Sequence, residues 1–186
     1  MLTLRTAFLT GNEYRLGLEV DRRLNTVYLD GQPFAAMIMT GLESVLRESL
    51  AKASPHSRKV YGKNPLTAEE VVELANTRAL TLAATVKPGG KPHVSPSDLV
   101  AVDGNLFVGV DEATARYRNL KNNPAIAIMM ADGRKRQAIL EGKVVFLDIN
   151  SEVARKVLDA QMKKYGWVTE VVAEFIPEKA LTWKAG

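Results

Sequence analysis

The chain has 186 residues, with 46% hydrophobic and 25% charged side chains, the balance of an ordinary folded domain rather than of a disordered, collagen-like or coiled-coil chain. Its net charge of +4 favours solubility and draws anions, but is too thin for a nucleic-acid footprint. The absence of cysteine excludes disulfides, thiolate metal sites and cysteine nucleophiles. With no basic-then-apolar leader and no apolar run approaching ~18 residues, a cytoplasmic protein with no membrane contact is expected.

The alternation Tyr14-Arg15-Leu16-Gly17-Leu18-Glu19-Val20 and the run Thr26-Val27-Tyr28-Leu29 predict a β-hairpin. From Pro33 onward, Phe34, Ile38, Leu42, Val45, Leu46 and Leu50 recur at helical spacing, and a proline is tolerated in a helix's first turn. That apolar stripe needs burial, on the rest of the chain or on another subunit. A turn-rich stretch over residues 53–65, bracketed by Ser54-Pro55-His56-Ser57 and Gly62-Lys63-Asn64-Pro65, divides an N-terminal extension, residues 1–65, from a domain, residues 66–186.

Thr67-Ala68-Glu69-Glu70 is a capping-box pattern and opens a short helix to about Asn76. Strands are predicted over 80–86, 92–102 and 105–110, with Asp103-Gly104 supplying the tight turn between the last two. A helix over 114–122, strands over 125–130 and 137–147, a helix over 151–165 and a strand over 171–183 complete the chain. Strands and hairpin signals dominate. The expected fold class is therefore mainly β (α+β), an antiparallel β-barrel with peripheral helices rather than a doubly wound parallel sheet.

His93-Val94-Ser95-Pro96-Ser97-Asp98 holds every residue type of a hydrolase triad. On a strand, however, His93, Ser95 and Ser97 share one face at ~7 Å per two residues while Asp98 turns to the other, and no G-x-S-x-G elbow is present. Polar residues lining a strand or ligand groove are the better reading. Two histidines and scattered carboxylates offer no metal-ligand spacing, so no metal is expected. Gly89-Gly90 lacks the dinucleotide and Walker patterns and simply turns the chain. A second constellation runs from Val110 at a strand end, through Asp111 and Glu112, into a helix carrying Thr114, Arg116, Arg118 and Lys121. A helix N-terminus offers unpaired amides, so Thr114 and Arg116 could add a hydroxyl and a guanidinium for a phosphate. The alternative is a solvated basic helix face, and Asp111 and Glu112 oppose a dianion unless they turn away.

The strand Leu80-Thr81-Leu82-Ala83-Ala84-Thr85-Val86, the turn and strand Gly90-Lys91-Pro92-His93-Val94-Ser95-Pro96, the run Asn119-Leu120-Lys121-Asn122-Asn123-Pro124 and then Arg136-Gln137, in this order, resemble the FMN-binding split β-barrels related to pyridoxamine 5′-phosphate oxidase. The resemblance covers about residues 66–183. It implies an FMN phosphate held by Thr114 and Arg116, and a flavin ring along the strand backbone of His93, Val94, Ser95, Pro96 and Ser97. It also implies a Gln137 amide near the flavin, with Val110 at the strand end beside the phosphate helix. A homodimer with the flavin at its interface follows from the same resemblance. Within it a deazaflavin or haem could replace FMN.

Ser95, Val100 and Ala115 stand where such oxidases carry further basic residues, and Leu181-Thr182-Trp183-Lys184-Ala185-Gly186 lacks their basic C-terminal patch. Vitamin B6 oxidation is therefore not expected. The leading functional expectation is an FMN-dependent oxidoreductase of unassigned substrate, with a nicotinamide nucleotide as a candidate donor; His93, Ser95 and Tyr165 are candidates near the ring, none of them assigned a catalytic role. The competing expectation is a flavin or ligand-binding sensor module without turnover.

Overall fold

The computed structural model describes residues 18–21, 26–29 and 32–186, and side chains from residue 41 onward. Compact units divide at residues 41 and 42. In the first, β1 (Leu18–Asp21), β2 (Thr26–Leu29) and β3 (Gln32–Pro33) form an antiparallel sheet in the order β1-β2-β3, with Leu18 opposite Leu29. The remaining parts of the expected hairpin, residues 14–17 and 22–25, lie outside the described residues. Pro33 ends β3 instead of entering the helix, and α1 (Phe34–Lys52) starts directly after it.

The turn-rich stretch after α1 contains a second helix, α2 (Pro55–Tyr61). The Ser54 hydroxyl accepts from the Ser57 amide at 3.1 Å, and Pro55 occupies the first helical position. Ser-Pro reads as a turn in isolation, but it is equally an N-cap followed by a residue with a helical φ already set. In α3 (Ala68–Asn76) both halves of the expected capping box form: Glu70 N–H donates to Thr67 Oγ1, and Thr67 N–H to Glu70 Oε2. Val71, Leu74 and Ala75 bury the opposite face of that helix.

Seven strands form one antiparallel sheet in the order β5-β4-β8-β9-β10-β7-β6: β4 (Leu80–Val86), β5 (Pro92–Pro96), β6 (Asp98–Val102), β7 (Asn105–Val110), β8 (Ala125–Asp132), β9 (Arg136–Phe146) and β10 (Val171–Lys184). The run 92–102, expected as one strand, is two. β5 and β6 occupy opposite edges of the sheet, yet Ser97 alone separates them, and two virtual bonds of 3.8 Å can span no more than about 7.6 Å. The sheet must therefore curl until its edges approach, and the fold is a split, antiparallel barrel, mainly β with α+β character.

Two strands make the curl possible. β9 and β10 are long, 11 and 14 residues, and their register shifts between Pro177 and Lys179. Such a bulge bends its strand and increases the local twist. Gly142 lies opposite, where any Cβ would collide with the Ile176 carbonyl. The tight turn between β6 and β7 has Asp103 at φ 50° and Gly104 at φ 85°, the left-handed pair that a two-residue hairpin requires.

Ala83, Ile128, Met130, Leu140 and Ala180 are fully buried on one face of the curled sheet. At its other end Val100, Phe107 and Val172 pack with Val157 of α5 (Glu152–Tyr165), which Ser151 caps at its N-terminus and Gly166, at φ 86°, closes. α4 (Ala115–Asn122) follows β7. No described helix is long and apolar enough to cross a membrane.

Candidate functional site

Among the described strands, β5 pairs with β4 alone, so one of its edges is open there. Ser97 N–H donates to Thr81 O at 3.1 Å. Hydrogen-bonded pairs alternate along an antiparallel ladder, which makes Ser95–Ala83 and His93–Thr85 the bonded pairs in the observed register. Pro92, Val94 and Pro96 therefore turn their backbone groups outward. Two of these three residues have no N–H, which is why prolines are tolerated here, and Val94 supplies the outward amide. Val94 is 61% exposed.

The side chains of β5 divide between two faces. His93 and Ser95 share the face of Thr85 and Ala83, their cross-strand partners, while Val94 and Pro96 lie on the face of Ala84 and Leu82. Asn119 of α4, 3% exposed, donates from Nδ2 to Thr85 Oγ1 at 2.9 Å and so ties the helix to β4. One turn earlier, Arg116 reaches β5. It is 9% exposed and donates from Nη1 to Pro96 O and to Ser95 Oγ (3.2 Å), with a long Nη2 contact to Gly109 O on β7 at 3.5 Å.

Two buried polar atoms on this side of the sheet have no partner among the described residues: Arg116 Nε and His93 Nδ1. Burial lowers the guanidinium pKa against the opposing pull of Asp98 and Asp111, but a guanidinium remains charged at any physiological pH. A buried cation with an unsatisfied N–H, flanked by hydroxyls and an open strand edge, is chemically suited to an anionic or strongly polar ligand oxygen.

Thr114 is the N-cap of α4. Its Oγ1 accepts from Tyr117 N–H at 3.1 Å and donates to Asp111 O at 2.7 Å, so its proton meets a phosphate only if the hydroxyl turns. The neighbouring carboxylates bind backbone. Asp111 Oδ1 accepts from Glu170 N–H, and Glu170 Oε2 from Glu112 N–H. The Tyr117 hydroxyl donates to Glu112 at 3.4 Å, and burial with that carboxylate raises its pKa.

Val110 ends β7 opposite Val171 with its side chain fully buried, which leaves only its main chain to meet a ligand. Ser97 is buried at the junction of β5 and β6. Gln137 on β9 faces Ala131 of β8 and Trp183 of β10, on the same side of the sheet as Val94 and Pro96 but three strands from β5, about 14 Å along the sheet. Tyr165 lies at the other edge, where its hydroxyl both accepts from Leu99 N–H (3.0 Å) and donates to Leu99 O (2.9 Å), with Trp167 stacked on its ring. Asp98 accepts from Trp167 Nε1 instead of meeting His93.

The roles of Asn119 and Thr85 were not anticipated from the sequence. Each is an ordinary residue in its own element, and only their pairing across 34 positions marks them. A cavity of about 210 Å³ between α1 and the β10 bulge, lined by residues including Ser44, Glu48 and Glu178, is separate from this cluster.

The fold and cluster define a split-barrel protein whose open edge strand meets a buried cation from the helix after β7. The family model described as pyridoxamine 5′-phosphate oxidase matches residues 67–184, more than half of the chain, and the chain belongs to that family. Among solved structures, a conserved hypothetical protein from Mycobacterium tuberculosis is similar at 16% identity and a TM-score of 0.57, over 67% of this chain and 89% of that one. HutZ, the haem storage protein from Vibrio cholerae, is similar at 21% identity and a TM-score of 0.51, over 62% and 92%. A FAD-binding protein from Mesorhizobium loti is similar at 18% identity and a TM-score of 0.50, over 66% and 98%. At these identities the likeness shows a common fold. No curated protein sequence matches.

Proposed function

We propose that the chain is an FMN-binding flavoprotein that works as an oxidoreductase, with a nicotinamide nucleotide as candidate electron donor. The observation that carries this reading is the buried Arg116 with its unpartnered Nε, set beside the outward Val94 amide and the outward carbonyls of β5. Family membership adds its weight, as does the name of the M. loti neighbour. In this reading Arg116 and the first turn of α4 hold the phosphate, and β5 offers its free backbone to the polar edge of the ring. When bound, the flavin supplies one- and two-electron redox chemistry, so no protein acid or base is required.

Gln137 favours a site made by two chains. Gln137 lies three strands from β5, about 14 Å across the sheet, so a flavin lying on β5 meets this amide more readily from a second copy placed by a two-fold axis than from its own chain. The face that would meet this second copy is apolar and exposed at Leu80 (59%) and Val94. We therefore extend the proposal to a homodimer with the flavin at the interface.

Absorption spectra test the reading. A flavin spectrum bleached by NADH or NADPH supports it, and a colourless protein that takes up no FMN removes it. Arg116→Ala should weaken FMN binding by about 1.5–3 kcal/mol, the scale of a hydrogen bond to a charged group, as followed by flavin fluorescence. Pyridoxal phosphate formation from pyridoxamine phosphate should be absent, because Ser95 and Ala115 replace basic residues; steady turnover would contradict the substrate part of the proposal. A flavin spectrum unaffected by either nucleotide would favour the second reading, a ligand-binding module without turnover.

A further inference from the structure

The two edges of the sheet approach each other at the junction of β5 and β6, but no strand ladder joins them. Arg116 reaches both sides of that seam. Its Nη1 holds Pro96 O and Ser95 Oγ on β5, and its Nη2 approaches Gly109 O on β7, opposite Asp98, the first residue of β6. In the sheet order β5 is first and β7 sixth. A guanidinium suits this position because it is planar, permanently charged and presents several donors in a fixed fork, which a lysine ammonium does not.

We propose that Arg116 is the latch of the barrel, and that this one side chain couples anion binding at α4 to closure of the β5–β6 seam. The latch rests on the geometry alone; the coupling rests on the flavin reading above. The Nη donors are committed to the seam, while Nε–H is buried without a partner. A ligand oxygen that takes Nε–H relieves that burial cost and leaves the Nη bonds in place, so binding tightens the latch. Linkage is reciprocal: whatever affinity the closed seam gives the anion, the anion returns to the seam as stability. Asn119 supports the arrangement by holding α4 on Thr85, which fixes the helix from which Arg116 extends.

Hydrogen exchange on the full-length, flavin-free chain separates the two parts. In Arg116→Gln, amide exchange over residues 93–100 should accelerate about tenfold, while residues 138–146 of β9 keep their wild-type rates. A uniform acceleration across the sheet, or none, overturns the latch. Should Arg116→Gln fail to fold, Ser95→Ala serves in its place, since it removes one acceptor and keeps the cation. A rise of about threefold confined to 93–100 supports the latch, and no rise overturns it. FMN added to the wild type should then slow exchange over 98–102, the β6 side of the seam that a flavin on β5 does not touch, by about fivefold or more. FMN that binds without changing that segment overturns the coupling alone. Failure of FMN to bind overturns the coupling and the flavin reading together, while the flavin-free comparison still decides the latch.

Discussion

The strands β5 and β6 are neighbours in sequence and both are sheet edges, yet the chain treats the two edges in opposite ways. Along β6, side chains satisfy the outward backbone groups. Asn76 accepts from Ala101 N–H (2.8 Å) and donates to Ala101 O (3.1 Å), the Tyr165 hydroxyl does the same for Leu99, and Lys164 donates to Leu99 O and Ala75 O at 2.7 Å each. Along β5, Pro92 and Pro96 remove two donors and leave Val94 N–H outward, with Arg116 on the Pro96 carbonyl. An unpaired strand edge is a template for pairing, so a chain either covers it or uses it. Here α3 and α5 seal one edge, and the other is the candidate ligand edge.

Removing a cap on β6 should have the largest effect. Asn76→Ala leaves both backbone groups of Ala101 without their partner and should destabilise the protein by about 1–3 kcal/mol in urea unfolding. A change under ~0.5 kcal/mol would mean that water replaces the amide freely and that the edge is not sealed.

The same edge should respond to pH. Burial pushes the Lys164 ammonium down to about 8, despite the favourable charge of Asp98, and its Nζ lies 4.5 Å above the Tyr165 ring. Its folded pKa is therefore depressed below the ordinary lysine value. Between about pH 8 and 10 the unfolded chain binds more protons at this site than the folded one, so stability should rise with pH through that window. Below about pH 8 the group is protonated in both states and contributes no slope. Chemical unfolding at pH 7.5, 9 and 10 measures this, and Lys164→Met should flatten the profile. A fall in wild-type stability from pH 8 to 10 would contradict the assignment. The raised pKa of Tyr165 confines the test to this window.

The open edge should be the most forgiving. Val94→Pro removes an N–H that serves no ladder bond, and the extended backbone suits proline, so the stability change should stay within about 0.5–1 kcal/mol. If the proposed ligand edge is used, the same variant should lose FMN affinity while keeping its melting temperature. A large loss of stability would show that the Val94 N–H serves the ladder with β4 rather than facing outward.

Much of the local structure was legible in the sequence because it depends on short-range chemistry. The Thr67–Glu70 box, the Asp103-Gly104 turn, β4 over 80–86 and the helix after β7 all follow from residues within one or two turns of each other. Legibility failed at residues 53–65, where Ser54-Pro55 signals a turn and a helix start equally well. It failed again at 92–102, where strand-forming residues run on both sides of Pro96-Ser97-Asp98 and local propensity does not mark where a strand changes partners.

What the sequence determined by itself was most of the element types, the mainly β class and, through resemblance, the family. Which strands became edges, which edge was sealed and where Arg116 points were decided only by the tertiary structure. On the helix alone, Arg116 reads either as a phosphate ligand at the helix start or as one more solvated cation beside Arg118 and Lys121. Its burial against β5 depends on α4 being held at Thr85 and on a sheet curled enough to bring Pro96 and Gly109 within reach of one guanidinium. Those are contacts between residues distant in sequence, formed by closure of the whole sheet, and no local periodicity encodes them.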